Sequence, residues 1–439
     1  MHFNFRDGLA TLLWLVSIVY CCIIPQQNNI LLLLAGLIPA TLCYLYLSLR
    51  GKVGSFKIII GAAILARLLA VWYFPNLSDD IYRFIWDGRL WHLGIHPFSI
   101  LPSEVVGTHD TLSQQLYDDL NSPSYYTIYP PIPQFIFWFS TFFSSIGVSA
   151  HFMQIIHACF DIGTLYFGYK LLKSMGLKQQ NLYLYALHPL IIIELITNLH
   201  HEGVVIFFLV SMLYALKKEK TWFAGLALAG AIASKILPAL FFPLIFFYLK
   251  GKKRWMFLLS VGLTSLLLFV PLVLDPDVIL NLAESANLYM KKFEFNASIY
   301  YVLRGLGYLT FGFNLIHIIG PVLSISTLII IGYIAIVPLK KDVSFKELIV
   351  LLMFTFMAYL FLSATVHPWY VATIIALCVF SSYRTPLVWG LLIFLTYANY
   401  MGDIYKEHMW IVFVEYAIVF SLLIFEVKKY SGSRLWRWS

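Results

Sequence analysis

Ile58-Ile-Ile-Gly-Ala-Ala-Ile-Leu-Ala66 gives way, past Pro75, to Asn76-Leu-Ser-Asp-Asp-Ile-Tyr-Arg-Phe-Ile-Trp-Asp-Gly-Arg89. The first stretch is continuously apolar, without the alternation of a barrel strand, so segment 55–73 reads as a membrane-spanning helix. The second stretch sets two carboxylates, Asp79 and Asp80, at the mouth of that span. Ionisable groups at a membrane edge are costly to place, and a pair of them marks a candidate functional site.

Apolar runs recur along the whole chain, at 9–25, 30–48, 55–73, 152–173, 182–197, 203–216, 221–235, 237–249, 255–273, 313–337, 347–363, 367–381, 386–400 and 409–427. Several are short for crossing roughly 30 Å of hydrocarbon, so the pattern predicts about 12 to 14 transmembrane helices. Composition agrees: 60% of the 439 residues are hydrophobic and 12% charged, with mean hydropathy +0.80, against about 25% charged in soluble domains. The expected fold is all-α and polytopic, a single transmembrane domain over 1–439 with no sizeable soluble part. The first run, Leu9 to Ile24, has no small-residue cleavage site behind it and reads as an uncleaved span. Cys21, Cys22, Cys43, Cys159 and Cys378 all lie in apolar segments, with neither metal-ligand spacing nor a disulfide framework.

The net charge of +8 comes mostly from short connections, which speaks for cytoplasmic loops and against a nucleic-acid partner. Arg50, Lys52 and Lys57 mark one inside loop, Lys170, Lys173 and Lys178 a second, and Lys217, Lys218 and Lys220 a third. Lys250, Lys252, Lys253 and Arg254, then Lys340, Lys341 and Lys346, then Arg384, mark three more, and the tail with Lys428, Lys429, Arg434 and Arg437 is also inside. This alternation holds only if Ile132–Ser145 is a re-entrant or surface-lying helix rather than a full crossing. The large outer loop is then 74–131, with an amphipathic interfacial helix expected over Asp80–Leu93. A second outer loop, 274–298, carries Asp275, Asp277, Glu284, Lys291, Lys292 and Glu294.

The unusual polar groups near span ends fall largely on the outer side. They are Asp79, Asp80, Tyr129, His200, His201, Glu202, Lys235, Asn296, Arg304, His367 and Trp369. Their common side suggests one shared cavity. An Asp there can accept the proton of an attacking hydroxyl, while its neighbour holds a metal or steers the acceptor. The alternative is that Ser78 or either Asp merely caps the next helix. Lys235, at an outer end while other lysines cluster inside, is suited to a phosphate, or else snorkels. Pro368 suits the first turn of a helix, which sets His367 at an N-terminus that favours an anion. Arg304 is a possible bidentate phosphate donor. His200, His201 and Glu202 are adjacent and point apart on a helix, which favours cavity lining over a metal site. Asn296-Ala-Ser298 matches a glycosylation pattern.

At these residues the chain resembles the GT-C class of integral-membrane glycosyltransferases. It is most similar to polyprenol-phosphate-mannose-dependent mannosyltransferases, including relatives of the catalytic subunit of glycosylphosphatidylinositol mannosyltransferase I. The likeness rests on Ser78-Asp-Asp-Ile-Tyr-Arg-Phe-Ile-Trp-Asp-Gly88 with Gly94-Ile-His-Pro-Phe98, and on Tyr129-Pro-Pro131 and His188-Pro-Leu190. It continues through Asn198-Leu-His-His-Glu202, Ser234-Lys-Ile-Leu-Pro238, Phe295-Asn-Ala-Ser-Ile-Tyr300 and Val366-His-Pro-Trp-Tyr370. The resemblance implies a hexosyl transfer, with mannose the expected sugar, from a polyprenyl-phosphate donor to a hydroxyl of a lipid or glycan acceptor, with inversion. It further implies Asp79 as base with Asp80 as partner, and Lys235, Arg304 and His367 holding the donor phosphate. Tyr129, His200, His201, Glu202, Asn296 and Trp369 would contact sugar or acceptor. Metal need is uneven across the class, so a divalent cation stays open. The lack of ER-type signals points to a bacterial inner membrane with the site facing the periplasm or outside. This chain departs from relatives at His200-His201-Glu202, where a Gly-Asn or Asn-Asp type turn is usual, and in the two spans before residue 55. The rival classes are a secondary transporter or lipid-linked sugar flippase, which shows repeats and midplane charges not found here, and a non-catalytic subunit of a complex.

Overall fold

The computed structural model describes residues 4–143, 145–274, 276–291, 293–402 and 405–430. Asp275, Lys292, Arg434 and Arg437, counted above among loop and tail charges, lie outside the described residues. The described chain is helical throughout, with one isolated β-bridge, between Phe295 and Thr365. The first four helices are α1 (Phe5–Ile23), α2 (Ile30–Arg50), α3 (Phe56–Ala70) and α4 (Asp80–His92). After the short α5 (Pro102–Val105) and α6 (Gln114–Asp118) come α7 (Pro131–Ser140), α8 (Ile146–Ser174), α9 (Tyr183–Ala186) and α10 (Pro189–Ile192). Next are α11 (Glu202–Lys217), α12 (Thr221–Ser234), α13 (Phe242–Tyr248), α14 (Lys252–Val273), α15 (Pro276–Lys291) and α16 (Ile299–Phe311). The last are α17 (Ile316–Ala335), α18 (Val337–Lys340), α19 (Phe345–Leu362), α20 (Ala372–Cys378), α21 (Thr385–Leu392) and α22 (Met409–Tyr430).

In so apolar a chain the few polar residues set where helices begin. Asn29 Oδ1 accepts the Leu32 N–H at 3.2 Å to start α2. Ser344 and Glu347 form a reciprocal capping box on α19, at 3.3 and 2.8 Å. Large apolar side chains stay exposed along the spans, among them Leu12, Leu266, Leu267, Leu328, Phe413 and Phe425. A lipid environment is what such surfaces fit, and the protein is an integral membrane protein.

Every expected apolar run falls on helix, but fewer lie on single helices long and apolar enough to cross a bilayer. Seven described helices are long and apolar enough to span, or eight if the bent pair 189–197 and 202–217 is one broken span. Of the other runs, 152–173 lies on the continuous 29-residue α8, and the rest fold as shorter or interrupted helices such as α12, α13 and α20. The bend of 117° in that pair has a local cause. Residues Ile193–Thr197 form a π-turn, and Leu199 then takes φ +62°, a conformation costly for a branched side chain. The free backbone there is recaptured: Asn198 Nδ2 donates to Ile193 O at 2.9 Å and His200 N to Glu194 O at 3.1 Å.

Within the bundle, Arg67 of α3 and Asp161 of α8 are both fully buried and paired. Arg67 Nη1 also donates to Ala63 O and Ala186 O, at 2.8 and 2.9 Å, and the Tyr185 hydroxyl donates to Asp161. The charges are thus neutralised in place, which such a pair needs in hydrocarbon. The basic connections gather at one end of the bundle. Lys253 pairs with Glu219 at 2.8 Å, Lys250 with Asp342 at 3.1 Å, and Lys346 Nζ reaches Ser382 Oγ at 3.4 Å.

α4 is not the interface-lying helix its pattern suggests. Ile81 and all of Arg83–Leu90 are buried. Its polar side chains find protein partners instead of water: Arg83 Nε meets Asp87 Oδ1 at 2.8 Å, and Arg83 Nη1 donates to Ser122 O and Tyr125 O at 3.0 and 2.8 Å. Gln134 Nε2 of α7 donates to Asp87 Oδ2 at 2.9 Å. α7, only 10 residues long, buries Ile136 and Phe137 against α4 and leaves Phe135 and Phe139 exposed. The two helices touch backbone to backbone, because a Cβ on Gly88 would sit 2.5 Å from Phe137 O.

Candidate active site

A cavity of about 370 Å³ opens where several helix ends and loops converge. The N-terminal end of α4 contributes Asp79 and Asp80, the following loop Asn121 and Tyr129, and the α10–α11 elbow His200, His201 and Glu202. The end of α12 brings Lys235, the turn before α20 brings His367 and Trp369, and the stretch after α21 brings Tyr397 and Tyr400. Nine sequence candidates thus border one space: Asp79, Asp80, Tyr129, His200, His201, Glu202, Lys235, His367 and Trp369. Arg304 and Asn296 stand apart from it.

The two carboxylates differ. Asp79 occupies the N-cap position of α4, yet its side chain makes no capping bond, and Ser78 Oγ accepts the Asp80 N–H at 3.4 Å. Asp80 is held: Asn121 Nδ2 donates to its Oδ1 at 2.7 Å, and His200 Nε2 lies 3.9 Å from its Oδ2. Asp79 is the carboxylate left open to a ligand. Withdrawal from bulk water raises its pKa above the usual carboxylate range, and repulsion from Asp80 and Asp119 adds to the rise.

His200 is fixed from both sides. Its ring stacks on Trp369 with centroids 3.4 Å apart and planes 11° from parallel. Nδ1 lies 2.9 Å from the Glu194 carbonyl and 3.2 Å from its carboxylate, which in turn accepts the Tyr397 hydroxyl at 2.8 Å. The stack continues from Trp369 to His367 at 4.5 Å and from His367 to Phe295 at 4.7 Å. The bridge noted above holds that column together, with Phe295 N donating to Ala364 O at 3.1 Å and Val366 N to Phe295 O at 2.8 Å. Pro368 takes the first helical position and His367 the N-cap, as the sequence predicts.

Lys235 ends α12 in extended conformation, with φ −162° and ψ 135°. Its ammonium pairs with Glu202 and lies 4.1 Å over the Tyr370 ring. Glu202 is therefore the counter-ion of Lys235, and an ammonium has further N–H groups for a ligand. His201 is buried among Phe84, Phe137 and His157, with centroids 5.0, 5.2 and 4.9 Å away. Neither of its ring nitrogens has a hydrogen-bond partner among the described residues.

Arg304 pairs with Glu294 and stacks over Tyr301 at 4.1 Å. Asn296, fully buried with φ +45°, donates from Nδ2 to Glu415 at 3.1 Å and from its backbone to Glu407 at 2.8 Å. That burial removes it as a glycosylation acceptor. Both residues brace the loop that carries Phe293 and Phe295 to the cavity wall. Among the described residues no group of three His, Cys, Asp or Glu side chains is arranged to hold a metal ion. Sequence reading passed over Glu194, His157, Asn121, Tyr397 and Tyr400. An acid inside the apolar run Ile191–Thr197 was the available signal for Glu194.

An open carboxylate that borders one cavity with a half-buried lysine and a histidine-rich wall, in an all-α membrane bundle, has the features of a membrane glycosyltransferase. Residues 16–251, more than half of the chain, match the family model described as alpha-(1->6)-mannopyranosyltransferase, N-terminal domain (MptA/B family). The chain belongs to this mannosyltransferase family. The matched stretch includes Asp79, Asp80, Tyr129, the elbow histidines and Lys235. No curated protein is significantly matched.

Proposed function

We propose that the protein transfers mannose from a polyprenyl-phosphate donor to the 6-hydroxyl of a hexose acceptor, with Asp79 as base. The observation that carries the reading is the open Asp79 carboxylate bordering the same cavity as Lys235 and His367. Asp79 takes the proton of the acceptor hydroxyl as its oxygen bonds to C1 of the sugar. The bond from C1 to the phosphate oxygen breaks, and the polyprenyl phosphate leaves with the electron pair. A single displacement inverts C1, so an α-linked product requires a β-linked donor.

A raised pKa serves a base that still has to be ionised at working pH, because it increases proton affinity. Asp80, held by Asn121 with His200 3.9 Å away, lies beside it. Lys235, anchored by Glu202, and His367 would meet the negative charge on the departing phosphate, a role supported by their place on the wall of the same cavity. His201 supplies a ring nitrogen for a sugar hydroxyl. Phe293, Phe295 and the tyrosines of loop 121–130 give the cavity its apolar walls.

The test is transfer of radiolabelled mannose from polyprenyl-phosphate mannose by the purified protein in lipid nanodiscs, with Asp79→Asn and Asp80→Asn alongside. Loss of a general base is expected to cost about 10²–10⁴-fold in Asp79→Asn, with a smaller loss in Asp80→Asn. Undiminished transfer by both variants would sink the mechanism, and no turnover of this donor by the unsubstituted protein would sink the choice of donor.

A further inference from the structure

At Asp79 the cavity meets a second space of about 500 Å³. Gln27, Asp79 and Tyr400 border both. The second space is otherwise edged by Gln26, Asn28, Asn76 and Tyr82 among others, and among its described residues Asp79 alone is charged. No hydrogen bond to a described residue engages the side-chain amides of Gln26, Gln27, Asn28 or Asn76. The backbone that carries them is nevertheless fixed: Gln27 N donates to Asn76 O at 3.1 Å and Asn29 N to Gln26 O at 3.0 Å. This ties the turn between α1 and α2 to the segment that leads into Asp79.

The chemistry of this rim selects its ligand. Among its described residues it offers no cation for a phosphate and too little apolar surface for a prenyl chain. Each amide carries two N–H donors and an acceptor oxygen, and the phenols add hydroxyls that do both. A neutral, hydroxyl-rich molecule matches such a set. We infer that this second space is the acceptor subsite and takes a hexopyranoside, alone or as the end of a glycan, with the α1–α2 turn supplying three of its four side-chain amides. The inference rests on the mannosyl-transfer reading above, and it gives the N-terminal helix pair a purpose: recognition of the acceptor. Asp79, at the junction, would meet the acceptor hydroxyl from one space and the donor C1 from the other.

The experiment measures binding of tritiated octyl α-D-mannopyranoside to the full chain in nanodiscs, for the unsubstituted protein and for Gln26→Ala/Asn28→Ala. Both side chains are exposed, so the fold should survive, and a thermal melt checks that it does. The expected result is binding by the unsubstituted protein and an approximately tenfold weaker Kd in the variant, the weight of two neutral hydrogen bonds. No binding, or equal affinity in both, overturns the subsite. Mannosyl transfer is read in the same samples. Absent transfer with variant-sensitive binding overturns the donor reading and leaves the subsite standing, whereas intact transfer with variant-insensitive binding overturns the subsite alone.

Discussion

Asp80 Oδ2 lies 3.9 Å from Nε2 of His200. Because the opposite ring nitrogen faces Glu194 and the ring face lies on Trp369, the imidazole has one orientation open to it. We propose that His200, fixed in that orientation, positions Asp80, whose charge adds to the raised pKa of Asp79.

Replacing His200 with Ala should lower kcat by up to about 10²-fold, the cost of roughly 1 Å of misplacement at a reacting group. KM for the donor should change little. His200→Gln, a polar side chain of similar reach whose amide could donate toward Asp80, should recover part of the loss. Steady-state kinetics on the three proteins decide it, and an equal loss in both variants would remove the positioning role.

The rate should depend on pH in a direction set by Asp79. A base works ionised, so activity rises as pH climbs through its pKa, and that limb should lie above the usual carboxylate range. Asp119 adds to the elevation from outside the cavity. Asp119→Asn should therefore move the acid limb to lower pH by a part of the shift, since burial is the larger cause. A pH–rate profile with an unmoved limb would point away from Asp79 as the titrating group.

Lys235 and Glu202 can be separated by a double substitution. Lys235→Met leaves the buried Glu202 carboxylate without its partner, which should cost about 3 kcal/mol in stability. Lys235→Met/Glu202→Gln removes the stranded charge and should restore most of the thermal stability. Transfer should remain low in both, because the group that meets the phosphate is gone. Recovery of activity together with stability would make the lysine structural only.

Gly88→Ala tests the link between packing and site. The new methyl would press on the backbone of Phe137, with 2.5 Å to its carbonyl oxygen and 2.8 Å to its carbonyl carbon. Overpacking of this kind costs about 1–3 kcal/mol. Separation of α4 from α7 should also displace Asp79 and Asp80 at the start of α4. A lowered melting temperature with reduced kcat is expected, and a variant of unchanged activity would show that α4 tolerates movement.

Much of the site was legible because polar residues are so scarce in this chain. Asp79, His200, Lys235 and His367 each stood out against hydrocarbon, and their shared side followed from the basic loops. What local pattern did not carry was the identity of their partners. Glu202 reads as a sugar contact until Lys235, 33 positions away, is seen against it. Glu194 is joined to Tyr397 across 203 positions. The alternation of Arg83, Asp87 and Arg89 with apolar neighbours reads as a water-facing stripe. Periodicity reports polarity alone, and here carbonyls of Ser122, Tyr125 and Thr111 stand in for solvent. Hydropathy likewise does not register the π-turn or 3₁₀ turns that divide several apolar runs into shorter helices.

The elbow between α10 and α11 has a practical corollary for redesign. Its backbone both presents His200, His201 and Glu202 and launches α11, which packs on α8 and α12. Substituting there edits the frame and the chemistry at once. The turn from Gln26 to Asn29 hangs outside that frame, held at its base by Asn76. A library aimed at new acceptors belongs in those few exposed residues, where changes of specificity should come without loss of expression.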